Sequence, residues 1–142
     1  MGSRFCFGGR SPRRAPVTVV LDSWAVLQWL EGLEPAASRV DTVLQERPVM
    51  SWVNLGEVFY IVTRSEGEDQ ARTVLSHLRS LVSADHATPD RILAAARIKA
   101  HYPMALADAF AVAAALEHDA AILTGDPEII SAGGNWSVED LR

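Results

Sequence analysis

The sequence predicts an α/β domain with a mainly parallel sheet. Two observations carry this: short apolar runs of strand length alternate with longer segments of helical periodicity, and the first run, VTVVL at residues 17–21, is apolar or β-branched throughout, the pattern of a central strand covered on both faces. Of the 142 residues 49% are apolar, enough for one domain with its own buried core.

Residues 17–21 are too short for a helix and form the first strand. Residues 24–33 read as a helix whose buried stripe is Ala25 or Val26, Trp29, Leu30 and Leu33. Pro35 opens a second helix reaching about Gln45, with Val40, Val43 and Leu44 inward. Val49 and Met50 make a minimal strand, and Ser51 is placed to cap a helix over 52–64. Residues 69–82 are amphipathic, with Ala71, Val74, Leu75, Leu78, Leu81 and Val82 at helical spacing. Thr88-Pro89-Asp90 sets a cap, a first-turn proline and an early acid in succession, starting a helix that reaches about Ala100. Pro103 lies near the start of the next helix, which runs to about His118. Residues 120–124 form a strand, Gly125-Asp126-Pro127 a turn, and residues 136–141 an edge strand.

The acidic balance, net −5, excludes a generally basic nucleic-acid surface, so any polyanion must be held locally. Arg4, Arg10, Arg13 and Arg14 lie in the first sixteen residues, leaving nine positive against eighteen negative side chains from Val17 onward. That domain, residues 17–142, suits a cation or a basic partner. Residues 1–16, rich in Gly, Arg and Pro, read as a basic disordered tail or an over-extended start, with an RNA-contacting arm as the lesser alternative. The single cysteine, Cys6, has no intramolecular partner, and no Cys/His cluster has zinc spacing. No apolar run approaches the roughly 20 residues of a membrane span, and a cytoplasmic location is expected.

Four acids stand where a solvated charge would not normally be placed. Asp22 closes the first strand, Glu57 lies in the nearly uncharged stretch 53–62, Asp108 is the only charge between Tyr102 and Leu116, and Asp126 follows the apolar run 120–123. In a parallel sheet, sites form outside the carboxyl ends of the strands, and that topology gathers Asp22, Asp126 and Glu57 on one edge. Asp22 taken alone reads equally as a helix cap, and Asp126 as a turn residue. Glu57 and Asp108 are harder to explain away. Each sits on a helix that is apolar over most of its circumference, and a salt bridge or a satisfied buried carboxylate is the plain alternative. Asp108 gains roughly 0.3–1 kcal/mol from its early helical position, whereas burying a charge costs several kcal/mol. Asn54, one turn before Glu57, shares its face, while Ser23 and Thr124 bring hydroxyls to the strand ends.

Four neighbouring carboxylates cannot all ionise without a cation. Mg²⁺ or Mn²⁺ suits such oxygen ligands, and the chemistry that follows is phosphodiester hydrolysis. A receiver-type phosphoacceptor domain fits less well, since Asp22 is followed by Ser23 and the sole lysine, Lys99, is in a predicted helix. An aspartyl phosphatase would show Asp-x-Asp, but position 24 is Trp. A non-catalytic binding module on the same fold is the remaining alternative, and it gives no reason to keep a charge as costly as Asp108.

The ordered segments VVLDSWAVLQWL, SWVNLGEV, LADAFAVAAAL and AAILTGD resemble the PIN-domain ribonucleases, specifically the VapC-like toxins of type II toxin–antitoxin modules, over roughly residues 17–140. The resemblance implies a three-layer α/β/α fold with a mainly parallel sheet of four to five strands, and Asp22, Glu57, Asp108 and Asp126 as a catalytic, metal-holding set supported by Ser23, Asn54 and Thr124. It also implies Mg²⁺- or Mn²⁺-dependent endoribonuclease activity, a homodimer, and a small antitoxin covering the groove, expected to insert an Arg or Lys among the acids. Trp24 departs from the small residue such proteins often carry there. Candidate phosphate contacts are Arg64, Arg72, Arg91, Arg97 and Lys99, with Trp24 or Trp52 as stacking surfaces.

Overall fold

Neighbouring residues within each inner strand point to opposite faces, so Val20, Val49 and Ile122 enter one core while Leu21, Met50 and Leu123 enter another. This is why the apolar runs do not alternate: both faces of the sheet are covered. The computed structural model describes residues 18–142; the expected tail over residues 1–16, and Val17, lie outside the described residues.

Five strands, β1 (Val19–Leu21), β2 (Val49–Ser51), β3 (Ser83–Asp85), β4 (Ala121–Thr124) and β5 (Val138–Asp140), form one sheet in the order β3-β2-β1-β4-β5, with every pairing parallel. The helices are α1 (Ser23–Glu31), α2 (Ala36–Leu44), α3 (Trp52–Glu66), α4 (Glu68–Leu81), α5 (Pro89–His101), α6 (Leu106–His118) and the short α7 (Pro127–Ile130). Helices α1 to α4 close the core containing Leu21 and Met50, while α5, α6 and α7 close the core containing Val20 and Ile122. The fold is therefore α/β, a five-stranded parallel sheet flanked by helices.

Local signals account for most helix ends. The Ser51 side chain accepts from the Val53 N–H, and the Thr88 side chain from the Arg91 N–H ahead of Pro89. Helix α1 stops where Gly32 takes a left-handed conformation (φ 68°). The stripe expected on α1 is only partly buried, and the stop removes Leu33 from the helix. Ala25 and Val26 are buried, but Leu30 is 37% exposed and Leu33, beyond the helix, 45%; Leu30 instead lines a shallow cavity with Leu27, Ile61, Val62 and Val74. Pro103 also lies outside its expected helix, because α6 begins only at Leu106. Strand β3 was not expected at all. Its sequence, Ser-Ala-Asp, offers a single small apolar residue, and only pairing with β2 makes it a strand.

Helix α6 is the closest-packed element. From Asp108 to Ala115 every residue is buried, five of the eight being alanine, and the helix lies against α3, α5 and the three central strands. Small side chains permit this approach, and the packing leaves no room for larger ones. Ala114→Leu is expected to destabilise the fold by about 1–3 kcal/mol through overpacking, measured by urea denaturation; a change below the error of that measurement would contradict the packing described.

Candidate metal centre

The strand order reverses between β1 and β4, the place where parallel α/β sheets open a crevice at their carboxyl edge. Leu21 and Leu123 are register partners, so the residues that follow them, Asp22 and Thr124, emerge side by side. The Thr124 hydroxyl donates a short hydrogen bond to Oδ2 of Asp22, and the other oxygen, Oδ1, accepts from the Ala25 N–H (2.9 Å), capping α1. Asp22 is thus both the helix cap and a member of the cluster.

Asp126 follows two residues after Thr124. Its N–H donates to the Thr124 hydroxyl (2.9 Å), and its carboxylate caps α7 by accepting from the Glu128 N–H (2.9 Å). Asp108 enters from the first turn of α6. Carboxylate oxygens of Asp108, Asp126 and Glu128 lie within 4.8 Å of one another, and Glu128 also accepts from the Ala105 N–H at the start of α6 (3.1 Å). Glu57 stands outside this triplet, half-buried on α3, where its Oε1 accepts from the Ser23 hydroxyl (2.7 Å) and from Nδ2 of Asn54 (3.1 Å).

The structure thus brings Asp22, Asp108 and Asp126 to one crevice, with Glu57 at its α3 side joined to Ser23 and Asn54. Glu128 was missed by the sequence reading. The signal was present: Asp126-Pro127-Glu128 is a cap, a first-turn proline and an early acid, the same pattern recognised at Thr88-Pro89-Asp90. Reading Gly125-Asp126-Pro127 as a simple turn hid the helix and with it the fifth acid.

Burial dominates the electrostatics. Asp22, 1% exposed, is pushed up to about 7 by loss of water, with Asp126 and Glu57 adding repulsion and the bonds from Thr124 and Ala25 opposing it. Asp108, 7% exposed, is pushed up to about 8, first by burial, then by repulsion from Asp126, by hydrogen bonds with Glu128 and Asp126, and by repulsion from Asp22.

The donor set fits a hard divalent cation. Every side chain of the cluster offers oxygen, and the closest three are near enough for one cation to bridge. Asn54 adds a further sign. Its Nδ2 faces two acceptors, Glu57 Oε1 and the Ala107 carbonyl (3.2 Å), which fixes the amide orientation, and its buried Oδ1 has no hydrogen-bond partner among the described residues.

The cationic side chains named as phosphate contacts are placed differently. Arg91 donates twice to the buried Asp85 (2.7 and 3.1 Å) and lies 3.5 Å from Glu117. Asp85 also bonds His118 (3.0 Å), so the Arg91 guanidinium is committed within the fold. Arg72 pairs with Glu68, and Lys99 donates to the Met104 carbonyl (2.9 Å). Arg64 stacks on the exposed Tyr60 ring at 5.0 Å. Trp52 is covered by Arg79 at 4.9 Å, and Trp24 lies against Gly125.

Asp22 and Asp108 hold protons in the folded chain that the unfolded chain releases near pH 4, so their contribution to stability is present at low pH and is lost as pH rises through about 7 to 8. Metal-free protein in chelator is expected to melt at a lower temperature at about pH 8 than at about pH 5.5, and Asp108→Asn to flatten that slope. A melting temperature that rises across the same range in the metal-free wild type would contradict the burial assigned to both carboxylates.

Comparison with known proteins follows the same outline. The chain gives no match among curated protein sequences. Among solved structures it is similar in fold to the DNA-bound VapBC of Salmonella typhimurium (TM-score 0.71, 16% identity, covering 89% of this chain and 100% of that one). It is similar also to VapC20 of Mycobacterium tuberculosis, named as a toxin cleaving the sarcin–ricin loop (0.67, 16%, 83% and 97%). A third is VapBC-1 of nontypeable Haemophilus influenzae (0.67, 20%, 88% and 98%). The family model described as PIN domain matches residues 19–135, and on that match the chain belongs to the PIN-domain family.

Proposed function

We propose that this PIN-domain protein is a metal-dependent endoribonuclease, the toxin of a toxin–antitoxin pair. The observation that carries the reading is the carboxylate cluster at the reversal of the sheet, in which Asp22 and Asp108 are buried and Asp126 and Glu128 converge on Asp108. Buried acids this close are costly as anions and are relieved by a cation.

Asp22, Asp108 and Asp126 would hold Mg²⁺ or Mn²⁺, with Glu128 beside them. When bound there, such an ion supplies Lewis-acid stabilisation of a phosphate and makes water a competent nucleophile near neutral pH. Glu57 has a separate task. Ser23 and Asn54 both bond its Oε1, and its other oxygen, Oε2, would accept a proton from water or share the ion. Thr124 fixes Asp22 and the Asp126 backbone in one step. Arg64 and Arg97 are the cationic candidates for the RNA backbone, since Arg91 is committed to Asp85.

The similar structures include one named as a toxin–antitoxin complex, from Klebsiella pneumoniae, and one named as a member of the VapBC family of toxin–antitoxin systems, VapBC-5 of Mycobacterium tuberculosis. By analogy, a small antitoxin would inhibit this chain by placing an Arg or Lys among the acids, and the toxin would act as a homodimer. Among the described residues no helix is long and apolar enough to cross a membrane.

Purified protein, free of any partner, is expected to cut structured RNAs in Mg²⁺ or Mn²⁺ and to stop in chelator. Asp108→Asn should reduce cleavage by at least about 100-fold. Cleavage that survives both chelator and Asp108→Asn would remove the mechanism; cleavage of no RNA at all would favour a binding module on the same fold. Glu128→Gln separates a ligand from a neighbour: a loss of Mn²⁺ affinity of about tenfold or more assigns it to the cation, and unchanged affinity leaves it as the cap of α6.

A further inference from the structure

The turn that carries Asp126 is pressed against an aromatic ring from the opposite acid-bearing segment. Gly125 is buried between Thr124 and Asp126. A methyl group on it would lie 2.3 Å from both Cζ2 and Cη2 of Trp24 and 2.7 Å from Cε2. Carbon atoms in contact sit about 3.5–4.0 Å apart, so the indole occupies the space any side chain at position 125 would need.

Trp24 belongs to the first turn of α1, and that turn is anchored on Asp22 through the Ala25 N–H. Its ring therefore spans from the segment holding Asp22 to the turn holding Asp126. On the backbone of the same turn, the Thr124 hydroxyl donates to Asp22 and accepts from the Asp126 N–H. The turn is thus fixed by a polar clasp and by a flat apolar face. Asp126 in turn accepts from the Glu128 N–H, so a displacement of the turn would carry both carboxylates with it.

The geometry points to Trp24 as a positioning residue for the cation site: its indole, seated on Gly125, sets the depth of the 124–126 turn and hence the separation of Asp126 from Asp22 and Asp108. This rests on the metal-site reading proposed above. It makes Gly125 obligatory only while Trp24 is present, which is a coupling that neither residue shows alone.

The test measures Mn²⁺ binding by calorimetry, together with thermal melts, on chelator-treated wild type, Gly125→Ala, Trp24→Ala and the double variant, the calorimetry well below every melting temperature. Gly125→Ala is expected to weaken Mn²⁺ binding by about tenfold or more, as displaced supporting residues do; the double variant should bind more tightly than Gly125→Ala, returning to the level of Trp24→Ala. If Gly125→Ala does not fold, a double variant that folds and binds Mn²⁺ supports the coupling. Gly125→Ala binding as wild type does, or a double variant no better than Gly125→Ala, overturns it. Wild type that binds no Mn²⁺ would defeat the metal reading separately; the contact is then judged on the melts, and fails if the double variant is no more stable than Gly125→Ala.

Discussion

Two carboxylates, Asp22 and Asp108, are withdrawn from water at the edge of a parallel sheet, each with its proton affinity raised by burial and then by neighbouring carboxylates, and the local architecture is organised around that cost. Asp22 follows β1 directly, so its depth is set by the register of the central strands. Asp108 is held by α6, whose run of buried alanines lets the helix settle onto the sheet and carries the acid in with it. Among the described residues neither group has a cationic side chain as a bonding partner. Their neighbours are hydroxyl, backbone amide and further carboxylates, which is the setting of a cation site rather than of a structural ion pair.

The rest of the molecule shows the contrast. Asp85, also buried, is satisfied within the fold by Arg91 and His118 and has its proton affinity lowered, although burial pulls the other way. One fold thus contains both outcomes for a buried acid: complete internal pairing at the end of β3, and an unpaired cluster where the strand order reverses. Asp22 and Asp108 carry the functional reading for that reason, whereas the Arg91 guanidinium is paired with Asp85 and Glu117 within the fold.

Sequence reading succeeded where a signal was local and failed where partners decided. Ser51, Thr88 and Pro89 announced their helices because a cap and its amide are neighbours in the chain. The burial of Asp108 was legible because its helix is apolar all round. Leu33 was misread because Gly32 ends the helix before it, a backbone event that apolar periodicity does not report, and Leu30, still within α1, lines a shallow cavity instead of entering the core. Strand β3 exists through its ladder with β2 and not through its own three residues. Glu128 was overlooked because a four-residue helix has too little periodicity to be noticed, despite a clear start signal.

What the sequence determined by itself was the alternation of strands and helices, hence an α/β fold, and the presence of acids at positions where a charge is expensive. Both follow from short-range chemistry: apolar periodicity, capping and the cost of burying charge. Only the tertiary structure decided which acids converge, that Glu128 joins Asp108 and Asp126 while Glu57 stays with Ser23 and Asn54, and that Trp24 seats on Gly125. Those outcomes depend on strand register and on contacts between residues about a hundred positions apart, such as Asp22 with Thr124, and no local pattern encodes them.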